Sequence, residues 1–317
     1  MTGRWGLTVP LDGLSLPEHR ELVAQLPDLG YTDLWSAEAS GADAFTPLVL
    51  ASQWAPELRL GTAIAPVYTR GPGLLAMSAA SAADCAPGRF VLGVGTSSQV
   101  IVENWNAAEF AEPYARTRDT VRFLRAALAG EKVTEEYPTF TVRGFRLGRP
   151  PETPPPVMVA ALRPGMLRMA GRESAGAITN WLAASDVPAV RGELGADSEL
   201  VARIFVCPTE DADEARALAR RHICAYLTVP VYRAFHDWLG RGERLAAMQE
   251  AWAAGDRKRA VESVPDDVVD ELVVHGGPEA CREGVRAYVE AGVTTPVLMP
   301  LTTGGDPAAL VRALAPA

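Results

Sequence analysis

The stretch GRFVLGVGTSSQ, Gly88 to Gln99, passes from a charge and an aromatic through an apolar run into glycines and hydroxyls. Small residues at the end of a buried strand let a flat ring lie against the backbone, with Thr96 and Ser97 offering hydrogen bonds. The same composition also suits a tight turn that packs closely. Two glycines of the dinucleotide fingerprint GxGxxG are present, but Ser98 takes the third position. No strand with a terminal acid follows within ~20 residues, which argues against a Rossmann turn. Two other charged positions stand at the ends of apolar runs. Glu38 follows Ser36-Ala37, and Arg163 follows Ala160-Ala161-Leu162 and precedes Pro164-Gly165, where a helix begins. Unpaired N–H groups and the dipole at such a helix start favour an anion; an exposed arginine in the cap region is the alternative. There is no Ser/His/Asp set, metal-ligand cluster or pair of carboxylates. His19 and His222 fall within helical stretches and read as surface or packing residues.

These positions need elements to hold them. Strand-like runs occur at Arg4–Val9, Thr32–Ala37, Leu58–Ile64, Arg89–Gly95, Val157–Ala161, Gly176–Trp181, Leu200–Cys207 and Thr295–Met299. The intervening stretches carry helix punctuation. Ser15 and Glu18 form a capping box, and Gly277-Pro278 opens a helix that Gly292 stops. The strands are near-continuously apolar, as in a parallel sheet covered on both faces. Eight strand–helix units predict an α/β fold, a (β/α)8 TIM barrel, with a doubly wound open sheet as the alternative. Residues 1–317 read as a single domain with insertions near 132–156 and 226–276. The first is an irregular hairpin around Phe140, Val142, Phe145 and Leu147. In a barrel the chemistry sits at the carboxyl ends of the strands, where Glu38, Ala63-Ile64, Gly95 to Gln99, Ala160 to Gly165 and Asn180-Trp181 all fall.

Composition sets the partners. The net charge of −9 disfavours a polyphosphate such as nucleic acid. No apolar stretch approaches the ~20 residues of a membrane span, and no signal peptide is visible. Cys85, Cys207, Cys224 and Cys281 are far apart, with no CxxC and no histidine at metal spacing, so reduced thiols in a cytoplasmic protein without metal are expected.

The segments LGTAIAPVYTRGPGLLAMSAAS and GRFVLGVGTSSQVIVENW carry a family likeness, as do LWSAEASGADAFTPL, AALRPGMLRMAGRESAGAITNWL and VVHGGPEACREGVRAYVEAGVTTPVLMP. In these the chain resembles the bacterial luciferase-like flavin and deazaflavin oxidoreductases, and within them the coenzyme F420-dependent branch. The resemblance implies a deazaflavin ring resting on a bulge after the third strand, with a non-proline cis peptide at Ala63–Ile64. It implies that Gly95, Thr96, Ser97, Ser98 and Gln99 contact the ring or its ribityl chain. The backbone amides from Ala161 through Leu162, Arg163 and Pro164 to Gly165 would hold the cofactor phosphate, with Arg163 adding charge, and Ala160 and Asn180 would also face the cofactor. Glu38 would hydrogen-bond the ring or donate a proton, unless neighbouring hydroxyls satisfy it. Trp105, Tyr226, Tyr232, Phe235 and Trp238 would form an apolar lid over the ring, the first four meeting the substrate, unless they are core of the inserted helices.

The chain departs from the sugar-phosphate dehydrogenases of the family. It has Glu38-Ala39 where they carry an Asp-His pair and Ser97-Ser98 where they carry Gly-Glu, which disfavours sugar-phosphate oxidation. The expected activity is hydride transfer between reduced coenzyme F420 and a small, largely apolar organic substrate. The runner-up is an oxygen-activating monooxygenase using reduced flavin mononucleotide (FMN); the third reading is a flavin-binding protein without catalysis. Arg163, Arg168 and the rim segment Tyr68-Thr69-Arg70 would favour the charged tail of coenzyme F420. Pairing into a homodimer through the small-residue face of Leu74–Cys85 is expected.

Overall fold

Eight parallel strands close into a barrel in the computed structural model, which describes residues 3–302 and 304–316. The strands are β1 (Gly6–Val9), β2 (Asp33–Ser36), β3 (Arg59–Thr62) with its short continuation β4 (Ala65–Pro66), β5 (Phe90–Gly95), β8 (Val157–Ala160), β9 (Gly176–Asn180), β10 (Glu199–Cys207) and β12 (Thr295–Pro300). Each pairs with the next in parallel, β10 joins β9 to β12, and β12 returns to β1, so the ring closes. The open-sheet alternative and the dinucleotide turn are thereby set aside.

Strand alternation explains two of the three apolar clusters. Leu7, Leu34, Leu60, Leu92, Val159, Ala202 and Leu298 face outward into the layer shared with the helices. Their neighbours in sequence face the lumen, where Trp35, Val91, Met158, Ile178, Val201 and Val297 pack together with Ala63 and Ile64 against them. Below this layer, at the amino ends of the strands, Arg59 makes two 2.7 Å bonds to Glu199 and a 3.4 Å contact to Asp33. Polar groups thus plug one end of the barrel.

The hairpin β6 (Val133–Tyr137) and β7 (Phe140–Phe145) is antiparallel and lies apart from the barrel sheet. Phe140 and Phe145 pack on Phe123 of the helix Pro113–Leu128. Between β10 and β12 the chain forms helices Ala212–Leu227, Pro230–Trp238, Gly242–Ala253, Arg257–Glu262 and Asp266–Leu272, then β11 (Val273–His275). Sequence reading missed β11: three residues are too few to show a period, and only the pairing of Phe205 with Val273 defines it. The Ser15–Glu18 capping box forms. His19 is buried, accepting from Leu11 N and lying 2.8 Å from Ser15 O, a packing residue as expected. No described helix is long and apolar enough to cross a membrane. The four cysteines are free, and no described cluster has metal-ligand geometry.

Candidate active site

Small residues shape one side of the barrel mouth. The Ala63–Ile64 bond between β3 and β4 is cis, as the resemblance implies. Ala63 N donates to Ser36 O at 2.5 Å, and Val67 N to Gly95 O at 2.9 Å, so this crossover is tied to both neighbouring strands. Thr62 Oγ1 accepts from Gly93 N at 2.8 Å and donates to Gly93 O at 2.7 Å. Beyond Val91, the two remaining lumen positions of β5 both require glycine. A Cβ on Gly93 would lie 1.9 Å from Thr62 O; one on Gly95 would lie 2.7 Å from the Ala160 Cβ and 3.0 Å from Ile64. Ala63, Ile64, Gly95 and Ala160 therefore make a nearly featureless floor that fits a flat ring.

Beside the floor, β8 runs into the helix Pro164–Glu173, with Arg163 as N-cap and no side chain capping it. One expectation needs correction here. The Ala161 amide donates to Ile178 O at 2.9 Å, completing the β8–β9 ladder, and Pro164 has no N–H. The donors left for an anion are the amides of Leu162, Arg163 and Gly165, and the space over Gly165 is open. Arg163 is exposed and no described carboxylate pairs with it. This donor set fits a phosphate. The other expected rim cations are engaged: Arg168 pairs with Glu193, and Arg70 pairs with Glu38 at 2.6 Å while lying over the Phe45 ring.

That pairing also decides Glu38. One of its oxygens accepts from Arg70 and from Thr69 Oγ1 at 3.4 Å, and the other from Ala44 N at 3.0 Å. Both are occupied, so Glu38 ties the loops after β2 and β4 together, and we assign it no catalytic step.

After β5 the side chains turn to local work. Ser97 lies in the left-handed region with φ 60°, and Thr96 Oγ1 donates to Ser97 O at 3.2 Å. Ser98 Oγ accepts from Ile101 N, and Gln99 bonds Glu103 at the surface. Both thus serve the π-helical segment Val100–Trp105, whose last residue, Trp105, is 56% exposed.

The opposite side of the mouth is aromatic and polar. Trp181, with φ 55°, stacks on Phe205 with centroids 3.8 Å apart, and Tyr226 packs on both rings. Tyr232 lies edge-on to Tyr226, and its hydroxyl accepts from Asn180 Nδ2 at 3.2 Å. Burial pushes the Tyr232 phenol up to about 12, so it stays a neutral hydroxyl at physiological pH. Phe235 departs from expectation: it has no accessible surface and packs on Trp238 within the core, because its helix turns that face inward.

Sequence reading missed Arg203. It lies on β10 opposite Asn180 in register, shares the lumen side with Val201, and is half-buried. The available signal was the charge itself, a lone arginine inside the apolar run of β10.

A closed parallel barrel whose mouth joins a flat floor, an open helix N-terminus and an aromatic wall is a ligand-binding (β/α)8 barrel of the kind that carries enzyme sites. The family model described as luciferase-like monooxygenase matches residues 5–295. The chain belongs to that family. It is 28% identical to a Mycobacterium tuberculosis protein provisionally named a coenzyme F420-dependent oxidoreductase, over 98% of this chain and 97% of that one. Among solved structures it is similar to the coenzyme F420-dependent tetrahydromethanopterin reductase of Methanopyrus kandleri, with a TM-score of 0.76, 18% identity, and 99% and 97% of the two chains covered. It is also similar to a type II Baeyer–Villiger monooxygenase of Pseudomonas putida in complex with FMN, with a TM-score of 0.68, 15% identity, and 99% and 96% covered. These two likenesses show the fold, and the family together with its relatives makes the protein an oxidoreductase.

Proposed function

We propose that this protein is a coenzyme F420-dependent oxidoreductase acting on a small organic substrate. The cofactor, when bound, supplies the hydride chemistry. This chain's residues do the rest. Ala63, Ile64, Gly95 and Ala160 support one ring face, the amides of Leu162, Arg163 and Gly165 hold the phosphate, and the Arg163 guanidinium adds charge. Trp181, Phe205, Tyr226 and Tyr232 shield the opposite side from water. The observation that carries this reading is the adjacency, on neighbouring strands β5 and β8, of the flat floor and the uncapped helix start with an unpaired arginine. The relative provisionally named for coenzyme F420 supports the choice of cofactor.

One observation favours the monooxygenase reading with FMN. Arg70 and Arg168 are paired with Glu38 and Glu193, so of the three rim arginines expected to meet a polyanionic tail only Arg163 is unpaired. Equilibrium binding separates the two. Coenzyme F420 is expected to bind more tightly than FMN. Arg163→Ala should weaken it about 5- to 10-fold, the worth of one charge-assisted contact at a helix start, and added salt should weaken it further. FMN binding as tightly or more so, with oxygen consumed once it is reduced, would give the monooxygenase. Binding of either without turnover of any substrate would leave a flavin-binding protein.

A further inference from the structure

Arg203 has no partner suited to its charge. Its Nε is shielded from solvent and makes no hydrogen bond, and its Nη2 meets only the Met299 sulfur, at 2.9 Å. No described carboxylate forms an ion pair with it. Two other arginines that are largely withdrawn from solvent are met by carboxylates, whereas Arg116, whose Nε is likewise without a partner, reaches the Thr139 carbonyl. Arg59, at the closed end of the same lumen, is met by Glu199 and Asp33, and Arg241 by Asp186 and Glu271. A desolvated cation is costly without an anion beside it, and here the sequence supplies none.

The surroundings resemble a receptor. Asn180 Oδ1 and Thr8 Oγ1 are also buried without partners. Asn180 lies on β9 directly opposite Arg203, and the register of Gly6 and Leu7 with Val297 and Leu298 continues to set Thr8, on β1 beyond β12, level with Met299 and Phe205, one step further toward the mouth. No described group accepts the Tyr232 proton, and that hydroxyl is held beside Asn180. The guanidinium carbon lies 5.2 Å from the Phe205 ring, which is stacked on Trp181. Strand β10 stands four places round the barrel from β3. Arg203 therefore faces the floor from across the mouth, on the side where a substrate would lie over a ring.

We propose that Arg203 receives a carboxylate-sized anionic group of the substrate, with Tyr232 and Thr8 adding hydrogen bonds and the Trp181–Phe205 stack taking an apolar body. The substrate class is then a small organic acid. This deepens the proposed function and rests on its placing of the ring over β3 and β5.

The test titrates the cofactor-free protein with a carboxylate series from acetate through benzoate to 4-phenylbutyrate, with benzamide as the neutral control, reading heat of binding and Tm. Benzoate or a longer acid is expected to bind and raise Tm while benzamide does not. Arg203→Met should weaken acid binding at least 10-fold and leave the dissociation constants of coenzyme F420 and FMN within about twofold. Arg203→Lys, which keeps the charge, should retain part of the acid binding and answers any concern that the Met variant is misfolded. If no acid binds, if benzamide binds equally, or if Arg203→Met weakens the cofactors instead, the proposal is overturned. Failure of the cofactor reading looks different: neither coenzyme F420 nor FMN binds, while discrimination of acid from amide persists.

Discussion

Two buried groups show how charge is managed residue by residue. Burial alone would push the Glu199 carboxyl up, but the Arg59 hydrogen bonds and charge outweigh it and hold the carboxyl below its usual range. His236 has no such partner. It is 1% exposed, and burial, reinforced by the Arg241 charge, pushes its imidazole down to about 3. The folded protein thus keeps this ring neutral where an unfolded chain, titrating near 6.5, takes up a proton. Stability from this group is full above pH 6.5 and falls as the pH drops toward 3, with a slope of up to ~1.4 kcal/mol per pH unit. Tm measured from pH 7.5 to 5 should fall on the acid side, and His236→Gln should flatten that fall. An unchanged slope in the variant would count against the neutral buried ring.

At the scale of elements, the floor depends on how closely β3 and β5 approach. Gly93 sits where any side chain would run into the Thr62 carbonyl, which is backbone and cannot rotate aside. Gly93→Ala should therefore destabilise by at least about 2 kcal/mol, since β3 must shift to make room. Gly192, on the helix Val187–Leu194, has open space at its Cβ position, so Gly192→Ala should stabilise by roughly 0.4–1 kcal/mol through the unfolded chain's lost freedom. Chemical denaturation of the two variants checks this. Equal effects would mean that the close approach is unimportant.

For the whole molecule, the lumen is polar at both ends but only one end is self-satisfied. That asymmetry leaves the unmet polar groups at the carboxyl ends of the strands, the end at which barrels of this kind carry their sites. On the outside, the small-residue face of the helix Pro72–Cys85 is not free for pairing, because Ala76, Ala79, Ala80, Ala82 and Ala83 are buried in the protein's own core. Its exposed apolar residues are Leu74 and Met77, at 53% and 48%, with Tyr114 40% exposed on the neighbouring helix Pro113–Leu128. We propose that these exposed apolar side chains meet a second copy of the chain. Light scattering should give twice the 33.8 kDa chain mass, and Met77→Glu should return the mass to that of one chain. A wild-type monomer at micromolar concentration would refute the pairing.

The barrel was legible in the sequence because both faces of each strand are buried, which writes short apolar runs at regular intervals. The small residues at Gly93 and Gly95 were legible too, since close backbone approach demands glycine there, whereas Ala63–Ile64 was reached only through the family resemblance. Pairing was not legible. That Glu38 meets Arg70, that the Ala161 amide belongs to Ile178, and that Phe235 turns inward depend on loops and helices meeting in space. Arg203 shows the division most plainly. Its charge was visible inside an apolar strand, but the run of residues around it does not say whether a carboxylate lies opposite. At Arg59 the folded barrel supplies one from a strand 140 residues away; at Arg203 it supplies none, because ion pairs form between neighbours in three dimensions and the sequence records only neighbours in one.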